Sequence, residues 1–389
     1  MSKVSSKRLG DLITFKRGYD LPEQNRKSGP YPIISSAGIS GYHDDYKVEG
    51  EGVVTGRYGT LGKMYYVNGK YWPHNTALYV QNFKGNDPKY IYYLLNCLGR
   101  IHTSDKSAVP GVNRNELHEM FVPAIEDKDR QIIIRKVLEA LDAKIEVNNR
   151  INTELEAMAK TLYDYWFVQF DFPDANGKPY KTSGGKMVYN AALKREIPDG
   201  WEAKQLSEIA NITMGQSPDG ESYNEDAQGT IFFQGSTDFG WLFPTVRKYT
   251  TAPARMAKKG DILLSVRAPV GDMNIANNNC CIGRGLSALN SKADFDGFLF
   301  YVMKYFKQVF DRRNTEGTTF GSITKDDLFS LKLAYPDEVL LKRYDDIVSN
   351  YNKIIFKRSL ENQTLIELRD YLLPMLMNGQ VTVVNKGDI

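Results

Sequence analysis

The sequence predicts an α+β protein in which two similar globular domains are joined by two long helices that form an antiparallel coiled coil with pseudo-twofold symmetry. Two observations lead to this prediction. Segments of the first half recur in the second half, in the same order. Each half also ends in a long segment whose apolar residues recur every three or four positions, as they do in amphipathic helices.

The repeat extends over roughly 200 residues. Its strongest match places Arg57 over Arg267 and Met64 over Met273. Four pairs of segments match, namely KRLGDLITFKRG (7–18) with KQLSEIANITMG (204–215), PIISSAGISG (32–41) with IFFQGSTDFG (231–240), GEGVVTGRYGTLGKM (50–64) with GDILLSVRAPVGDM (260–273), and GVNRNELHEM (111–120) with SITKDDLFSL (322–331). Because the order is kept and the offset drifts by only about a dozen residues, the chain is interpreted as a tandem duplication.

The duplication and the helical segments together predict the domain organisation. Six regions follow from them: a first globular domain at 1–125, a central helix at 126–170, a linker at 171–200, a second globular domain at 201–336, a C-terminal helix at 337–378 and a tail at 379–389.

Each globular domain is predicted to combine sheet with one short helix. Residues 53–72 have the pattern of strands broken by glycine, and Asn68-Gly69 is predicted to form a hairpin turn. Residues 88–101 are predicted to form a short helix, because Pro88 suits a first helical turn. Residues 295–310 are the corresponding helix of the second copy.

The two long helices are predicted to pack against each other. Residues 127–167 contain neither Gly nor Pro, and the stripe is interrupted by Asn148 and Asn152 in the first helix and by Glu361 in the second. A surface helix on its own domain is the alternative, but each segment is about twice the usual helix length and there are two of them. Mutual burial of the stripes is therefore favoured. The predicted contact residues are Leu141, Ile145, Leu155, Met158 and Leu162 in the first helix and Ile347, Ile354, Leu365, Leu368 and Leu372 in the second.

Composition indicates a cytoplasmic protein. The sequence has no run of about 18 apolar residues and no secretory leader pattern at its start, so neither a membrane span nor export is expected. Three cysteines are too few for a disulfide framework. Residues 1–125 carry 16 basic and 11 acidic side chains, whereas residues 201–336 carry 15 of each. Any nucleic-acid contact must therefore come from local patches.

Enzyme motifs are missing from the sequence. It contains no [NDS]-P-P-[YFW] tetrapeptide of a DNA methyltransferase, no F-x-G-x-G methyl-donor loop and no G-x-x-x-x-G-K-[ST] phosphate loop. A metal-nuclease pattern could be assembled only from Pro173-Asp174 and Glu202-Ala203-Lys204, and such short matches arise by chance. The four histidines are scattered, so metal ligation is not expected.

The chain resembles the specificity subunit of type I restriction–modification systems. The resemblance covers essentially the whole chain and is most specific in NRINTELEAMAKTLYDYWFVQFD, GKPYKTSGGKMVYN and EIPDGWE, and in the opener K-x-L-x-[DE]-[LI] of both domains. It implies two target-recognition domains, each of which reads one half of an asymmetric bipartite site in double-stranded DNA, with the helices as spacers. The recognition subunit would have no catalytic residues.

The resemblance also implies the partners and their cofactors. Two methyltransferase (modification) subunits would dock on the helices and recognition domains, and restriction (translocase) subunits would complete an endonuclease. S-adenosylmethionine, ATP and Mg²⁺ would be used by those partners, and none by this subunit.

DNA contacts are predicted from polar and basic residues on glycine-rich loops, because such side chains bind base edges and phosphates. For the pair Arg57 and Arg267, a structural role in a turn is the alternative. Weaker candidates are Ser35, Ser36 and Gln234. The predicted residues are Arg57, Tyr58, Lys63, His74 and Asn75 in the first domain, and Arg267, Arg284 and Thr318, with Arg312 and Arg313 as phosphate contacts, in the second.

A protein that only assembles other proteins is the alternative function. It would use the same helices without reading DNA, and it requires that no duplex sequence be enriched even when methyltransferase partners are present.

Overall fold

A computed structural model describes residues 4–57, 63–98, 113–315 and 322–383, with the backbone alone at 309 and 312–315. The chain forms two compact units. The first consists of residues 1–146 and 363–389, and the second of residues 147–362. Each long helix contributes to both units. The domain boundaries drawn from the sequence remain predictions.

The first unit is built on a six-stranded sheet. Its elements, with the long helix that follows, are β1 (Ser5–Arg8), α1 (Leu9–Leu12), β2 (Thr14–Arg17), a 3₁₀ turn (Glu23–Asn25), β3 (Tyr31–Ser35), β4 (Gly38–His43), β5 (Val48–Gly56), β6 (Met64–Pro73), β7 (Ala77–Asn82), α2 (Pro88–Cys97), α3 (Arg114–Glu119), β8 (Phe121–Ala124) and α4 (Lys128–Tyr163). The strand order is β2-β7-β5-β6-β3-β4, with β3 parallel to β6, and β1 pairs with β8. Leu9, Ile13, Val53, Ile91 and Leu138 are among the buried residues of its core.

The predicted hairpin turn at Asn68-Gly69 is wrong, because β6 runs through it. Asn68 pairs with Glu51, and Gly69 pairs with Gly50 in an antiparallel ladder. Both glycines have φ values near +107° and +108°, which other residues rarely adopt. Two facing glycines therefore lie within a continuous strand pair here, where the sequence pattern predicted a hairpin turn.

Helix α2 begins at Pro88 as predicted and is tied to α4 within the first unit. The Asp87 carboxylate accepts a hydrogen bond from the Tyr90 backbone N–H at 2.8 Å and so caps the helix. Arg135 on α4 donates to the same carboxylate at 3.0 Å, and the Gln131 side chain accepts from the Asp87 N–H at 2.8 Å. These bonds fix the start of α2 against α4.

The second unit contains a four-stranded sheet, a five-stranded sheet and two two-stranded pairs, and it repeats the main topology of the first. After α4 come a π-helical turn (Asp164–Val168), β9 (Met187–Asn190), β10 (Arg195–Pro198), β11 (Glu202–Gln205), α5 (Leu206–Ile209), β12 (Ala210–Met214), 3₁₀ turns (Gly220–Ser222 and Ser236–Asp238), β13 (Tyr223–Asn224), β14 (Thr230–Phe233), β15 (Lys248–Thr250), β16 (Met256–Ala257), β17 (Ile262–Ser265), β18 (Met273–Ile275), β19 (Cys280–Ile282), β20 (Leu286–Ser291), α6 (Asp296–Thr315), α7 (Lys325–Phe329), β21 (Lys332–Tyr335) and α8 (Glu338–Met377). The order β12-β20-β17-β18 corresponds to β2-β7-β5-β6. A second sheet has the order β13-β15-β14-β19-β16, and β11 pairs with β21 as β1 does with β8.

The long helices pack antiparallel. In the second unit, Asn148 donates to Glu361 and Asn362, whereas the Tyr344 hydroxyl donates to the carbonyl of Ala159 at 3.1 Å. As the residue number increases along α4, the number of the contacting residue on α8 decreases, so the two helices run in opposite directions. Tyr163, Trp166 and Phe167 continue this contact as a buried aromatic cluster.

A polar layer lies in this helix contact. Asn148 and Asn152 are buried, and Asn148 accepts a hydrogen bond from Arg358 at 2.8 Å and donates to Asn362 at 2.9 Å. Asn152 donates to Ser359 at 3.3 Å. The two asparagines that interrupt the apolar stripe thus face polar partners on the other helix. In the first unit, the corresponding polar contact is Arg369 with Asp142 at 3.0 Å.

The predicted contact residues divide into two groups. Leu141, Ile145, Leu155, Leu162, Leu365 and Leu372 are half-buried, whereas Met158, Ile347, Ile354 and Leu368 are exposed by 53%, 37%, 42% and 42%. On α8 the neighbouring Val348 and Ile355 are buried. The predicted stripe is therefore off by one residue there, since adjacent aliphatic residues make the helical register ambiguous.

Candidate nucleic-acid interface

One loop of the first domain is held by a short network of backbone hydrogen bonds. This return loop, residues 73–77, joins β6 to β7. Gly18 donates to the Ala77 carbonyl at 3.0 Å, and Tyr19 donates to the Pro73 carbonyl at 2.8 Å. His74 donates to Ile34 at 2.8 Å, and Ala77 donates to His74 at 2.9 Å.

The second domain repeats this network bond for bond. Its return loop, residues 282–286, joins β19 to β20. Gly215 donates to the Leu286 carbonyl at 2.9 Å, and Gln216 donates to the Ile282 carbonyl at 3.0 Å. Gly283 donates to Phe233 at 2.8 Å, and Leu286 donates to Gly283 at 3.0 Å.

The hydrogen bonds define which residues are equivalent in the two domains. Because Ala77 corresponds to Leu286 and His74 to Gly283, Asn75 corresponds to Arg284. Since Gly18 corresponds to Gly215, two residues further on Asp20 corresponds to Ser217; likewise Ser35 corresponds to Gln234. Two residues predicted separately as DNA contacts, Asn75 and Arg284, therefore occupy one position of a repeated frame.

The same register shows that Arg57 and Arg267 are not equivalent. Arg57 donates its backbone N–H to the Thr76 carbonyl at 2.9 Å, and in the second domain Val266 donates to Gly285 at 2.9 Å. Arg57 thus matches Val266, and Arg267 lies one residue further along. A shift by one residue turns a side chain to the opposite face of a strand, so the pairing predicted from sequence is wrong.

In the first domain, Asn75 is the centre of a polar cluster. Its side-chain amide donates to the Asp20 carboxylate, and its backbone carbonyl accepts from Arg17 Nε at 3.4 Å. Arg17 also lies 3.9 Å from the same carboxylate. A carboxylate can only accept hydrogen bonds, so this contact fixes which face of the Asn75 amide carries the nitrogen.

His74 supports the loop from within. The side chain is half-buried, and its Nδ1 lies 3.0 Å from the Thr76 hydroxyl. Burial, followed by the positive charge of Arg26, lowers the pKa of His74 below its ordinary value. The neutral imidazole is therefore favoured, which suits a structural position better than a phosphate contact.

The remaining candidates of the first domain lie at the adjoining strands. Lys63 is exposed, with its ammonium nitrogen 5.5 Å from the centre of the Tyr65 ring. Arg57 is half-buried at the end of β5. Tyr58 lies outside the described residues. Ser35 is half-buried, and Ser36 donates its backbone N–H to the Thr76 hydroxyl at 3.4 Å.

In the second domain, Ser217 joins two of the candidates. Its hydroxyl accepts from Arg284 Nε at 3.4 Å and from Gln234 Nε2 at 2.9 Å. Gly283 allows this approach, since a Cβ there would lie 2.8 Å from Gln234 Oε1. Arg284 and Gln234, which are exposed, and Ser217, which is half-buried, thus form one polar cluster in the position that Asn75, Ser35 and Asp20 occupy in the first domain.

The other candidates of the second domain are not joined to this cluster. Arg267 is exposed, and its carbonyl accepts from the Ser265 hydroxyl at 2.8 Å. Arg312 and Arg313 lie on α6, where only their backbone is described, and Thr318 lies outside the described residues.

Sequence reasoning missed Arg17, Asp20 and Ser217. A signal for the last two was present, because the matched openers end at Gly18 and Gly215, and Asp20 and Ser217 each follow two residues later. Both follow a glycine whose position beside the return loop is visible only from the hydrogen bonds.

The described ranges contain no group of three His, Cys, Asp or Glu side chains arranged to hold a metal ion. None of their helices has the length and apolar composition that a membrane span requires.

The repeated domains match one family. A family model described as the type I restriction modification DNA specificity domain matches residues 1–157 and again residues 198–365. The chain belongs to this family. It is accordingly a non-catalytic DNA-recognition subunit of a type I restriction–modification system, which assembles with other subunits.

Individual relatives agree with this membership. The chain is 30% identical over 320 residues to the MjaX specificity subunit of Methanocaldococcus jannaschii, covering 79% of this chain and 72% of that protein. It is 25% identical over 328 residues to the type I restriction enzyme MjaIX specificity subunit of the same organism, covering 78% and 72%. The S subunit of the type I restriction–modification system from M. genitalium has a similar fold, with a TM-score of 0.61, 16% identity and 96% of each chain covered.

Proposed function

We propose that this specificity subunit reads a bipartite, asymmetric target in double-stranded DNA, with one half-site for each domain. The observation that supports this most strongly is the repeated return loop, which has the same backbone hydrogen bonds in both domains but unlike side chains. A shared frame places both loops in the same way toward a duplex. Different side chains at equivalent positions select different bases.

The charge distribution supports local contacts over a uniformly basic surface. Residues 201–336, the predicted second domain, carry equal numbers of basic and acidic side chains. DNA contacts would therefore come from individual exposed cations such as Arg284 and Arg267. In the first domain, Arg17 on β2 and Lys63 just before β6 are exposed and add positive charge to the domain that carries Asn75. Phosphate contacts then hold each domain in register while base contacts supply the sequence preference.

We further propose that two modification subunits dock on the long helices. Exposed apolar residues recur on both helices of the second unit: Val147, Met158 and Tyr165 on and just after α4, and Ile347, Ile354 and Leu360 on α8. Exposed aliphatic side chains on a helix that belongs to an assembling subunit mark a surface that a protein partner covers. Restriction subunits would join through this complex, and S-adenosylmethionine, ATP and Mg²⁺ would be bound by the partners.

Methylation mapping tests the proposed function. The chain is expressed with its cognate modification subunit in a host that carries a random plasmid library, and methylated adenines are located by sequencing. The expected result is one motif with two unlike half-sites separated by a fixed gap. Absence of any motif while the two subunits co-purify would favour the assembly protein without DNA readout.

A further inference from the structure

Asn75 and Arg284 occupy equivalent positions in the two domains, and their side chains indicate which base each half-site carries. Resting on the proposed function, we propose that both residues read bases directly: Asn75 reads an adenine in the half-site of the first domain, and Arg284 reads a guanine in the half-site of the second. The half-sites would then differ at the position that the two return loops share.

Arg284 has the geometry for a two-bond contact with guanine. The side chain is exposed, and its Nε donates to Ser217, which is itself held by Gln234. Among the described residues, neither terminal nitrogen of Arg284 has a hydrogen-bond partner. The contact through Nε therefore orients the guanidinium while it leaves both terminal nitrogens for O6 and N7 of guanine, the acceptor pair that arginine binds in the major groove.

Asn75 is oriented for adenine in a similar way. One N–H of its side-chain amide is taken by the Asp20 carboxylate. Among the described residues the amide oxygen and the second N–H have no other partner, which leaves one acceptor and one donor for a base. Adenine presents the complementary pair, because its N6 amino group donates and its N7 accepts.

Neither side chain is needed to build the loop that carries it. The hydrogen bonds that the two return loops share join backbone atoms, and they are formed equally with Asn75 and with Arg284 at the shared position. The backbone of the loop therefore does not require either side chain, and the difference between them can serve the recognition of DNA. Their partners Asp20 and Ser217 differ accordingly. The Asp20 carboxylate accepts a hydrogen bond from the Asn75 amide, whereas the Ser217 hydroxyl accepts one from the Arg284 guanidinium without neutralising its charge.

Substitution at the shared position tests the proposal in the complex with the modification subunit. Motifs are determined for the wild-type chain, for Asn75→Arg and for Arg284→Asn by methylation mapping of a random library. We expect Asn75→Arg to change one position of one half-site from adenine to guanine. We expect Arg284→Asn to change one position of the other half-site from guanine to adenine. A good two-bond contact discriminates between bases by about 10- to 100-fold, so the changes should dominate the motif.

Matched controls separate base reading from charge. Asn68→Arg adds a positive charge at an exposed position of β6, the strand that precedes the return loop of Asn75. Lys259→Asn removes an exposed positive charge before β17, at the strand end opposite Arg284. Both controls should alter the rate of methylation and leave the motif unchanged.

The outcomes distinguish the two proposals. If the wild-type complex methylates no defined motif, the proposed function fails. If it has a motif that lacks the adenine or the guanine, or if folded variants keep the wild-type bases, only the assignment of Asn75 and Arg284 is overturned. Should a variant not fold, the conservative Asn75→Gln and Arg284→Lys replace it, and each is expected to keep the wild-type base with weaker discrimination.

Discussion

The return loops of the two domains have the same backbone and different side chains. Residues 73–77 and 282–286 are joined to equivalent neighbours by four equivalent hydrogen bonds, yet Asn75 stands in one where Arg284 stands in the other. The comparison separates two requirements. Backbone bonds and the glycines beside them fix where the loop lies, whereas the side chains at the shared position are the ones that we propose to select the bases.

The largest expected effect comes from changing the helices and leaving both loops intact. Deleting residues 139–145 of α4 together with 366–372 of α8 removes both members of the Asp142–Arg369 pair, so the antiparallel contact is kept in register. Seven residues of helix correspond to about 10 Å, or roughly three base pairs. Methylation mapping should show a shorter gap between unchanged half-sites.

Insertion of seven residues at the same positions is the matched control and should lengthen the gap. Altered half-site bases with an unchanged gap would contradict the spacer role of the helices.

The glycines that precede the loops test whether the shared frame is required. A Cβ on Gly18 would lie 2.1 Å from the His74 carbonyl oxygen, and a Cβ on Gly215 would lie 2.2 Å from the Gly283 carbonyl oxygen. Gly18→Ala and Gly215→Ala should each lower the free energy of unfolding by about 1–3 kcal/mol, since the loop must move. Each should weaken selection at its own half-site only.

Gly220→Ala is the control for these two variants, because nothing lies within 4 Å of a Cβ there. Chemical denaturation and motif mapping give both readouts. Equal loss of selection at both half-sites in either variant would show that the domains do not read independently.

The success of sequence reasoning differed between the helices and the loops. Long periodic segments predicted α4 and α8, because many positions agree on one pattern. The pairing of Arg57 with Arg267 was wrong, because a glycine-rich segment has few distinctive side chains, and its alignment with the other segment can shift by one residue. The exposed Ile347 and Ile354 were placed in the helix contact because Val348 and Ile355 beside them are equally apolar. Such one-residue ambiguities are resolved only by the hydrogen bonds and the burial of side chains in the structure.

The polar layer between the helices has a smaller expected effect. Asn148→Ala would leave Arg358 and Asn362 without the hydrogen bonds that they make to Asn148, and a buried polar group without a partner costs about 1–3 kcal/mol. Arg150→Ala, an exposed change on the same helix, is the control and should have little effect on thermal unfolding. Equal stability of both variants would show that the layer does not hold the helices together.

Acid should act on the first domain through a histidine that the second domain lacks. His118 Nε2 accepts from the Phe15 backbone N–H at 2.9 Å, and burial, followed by the charges of Arg114 and Lys84, lowers its pKa. The unfolded chain then binds a proton that the folded chain resists, so this contribution to stability is lost as the pH falls below the ordinary histidine pKa. In the matched repeat segments, Phe329 stands at the corresponding position.

The variant His118→Gln can still accept that hydrogen bond but cannot titrate. Calorimetry between pH 7.5 and pH 5 should show a smaller loss of thermal stability for this variant than for the wild-type chain. An identical pH dependence in both would show that His118 does not contribute.

Exchange of the loop residues between the domains examines the shared frame most directly. In one chain, Asn75→Arg with Asp20→Ser is combined with Arg284→Asn and Ser217→Asp, so that no Cβ is added at Gly283 or Gly285, where it would approach Gln234. The motif is mapped in the complex with the modification subunit. The expected motif carries guanine where the first half-site had adenine and adenine where the second had guanine, with the gap unchanged. A folded chimera that methylates the wild-type motif would contradict the proposal that these loops choose the bases.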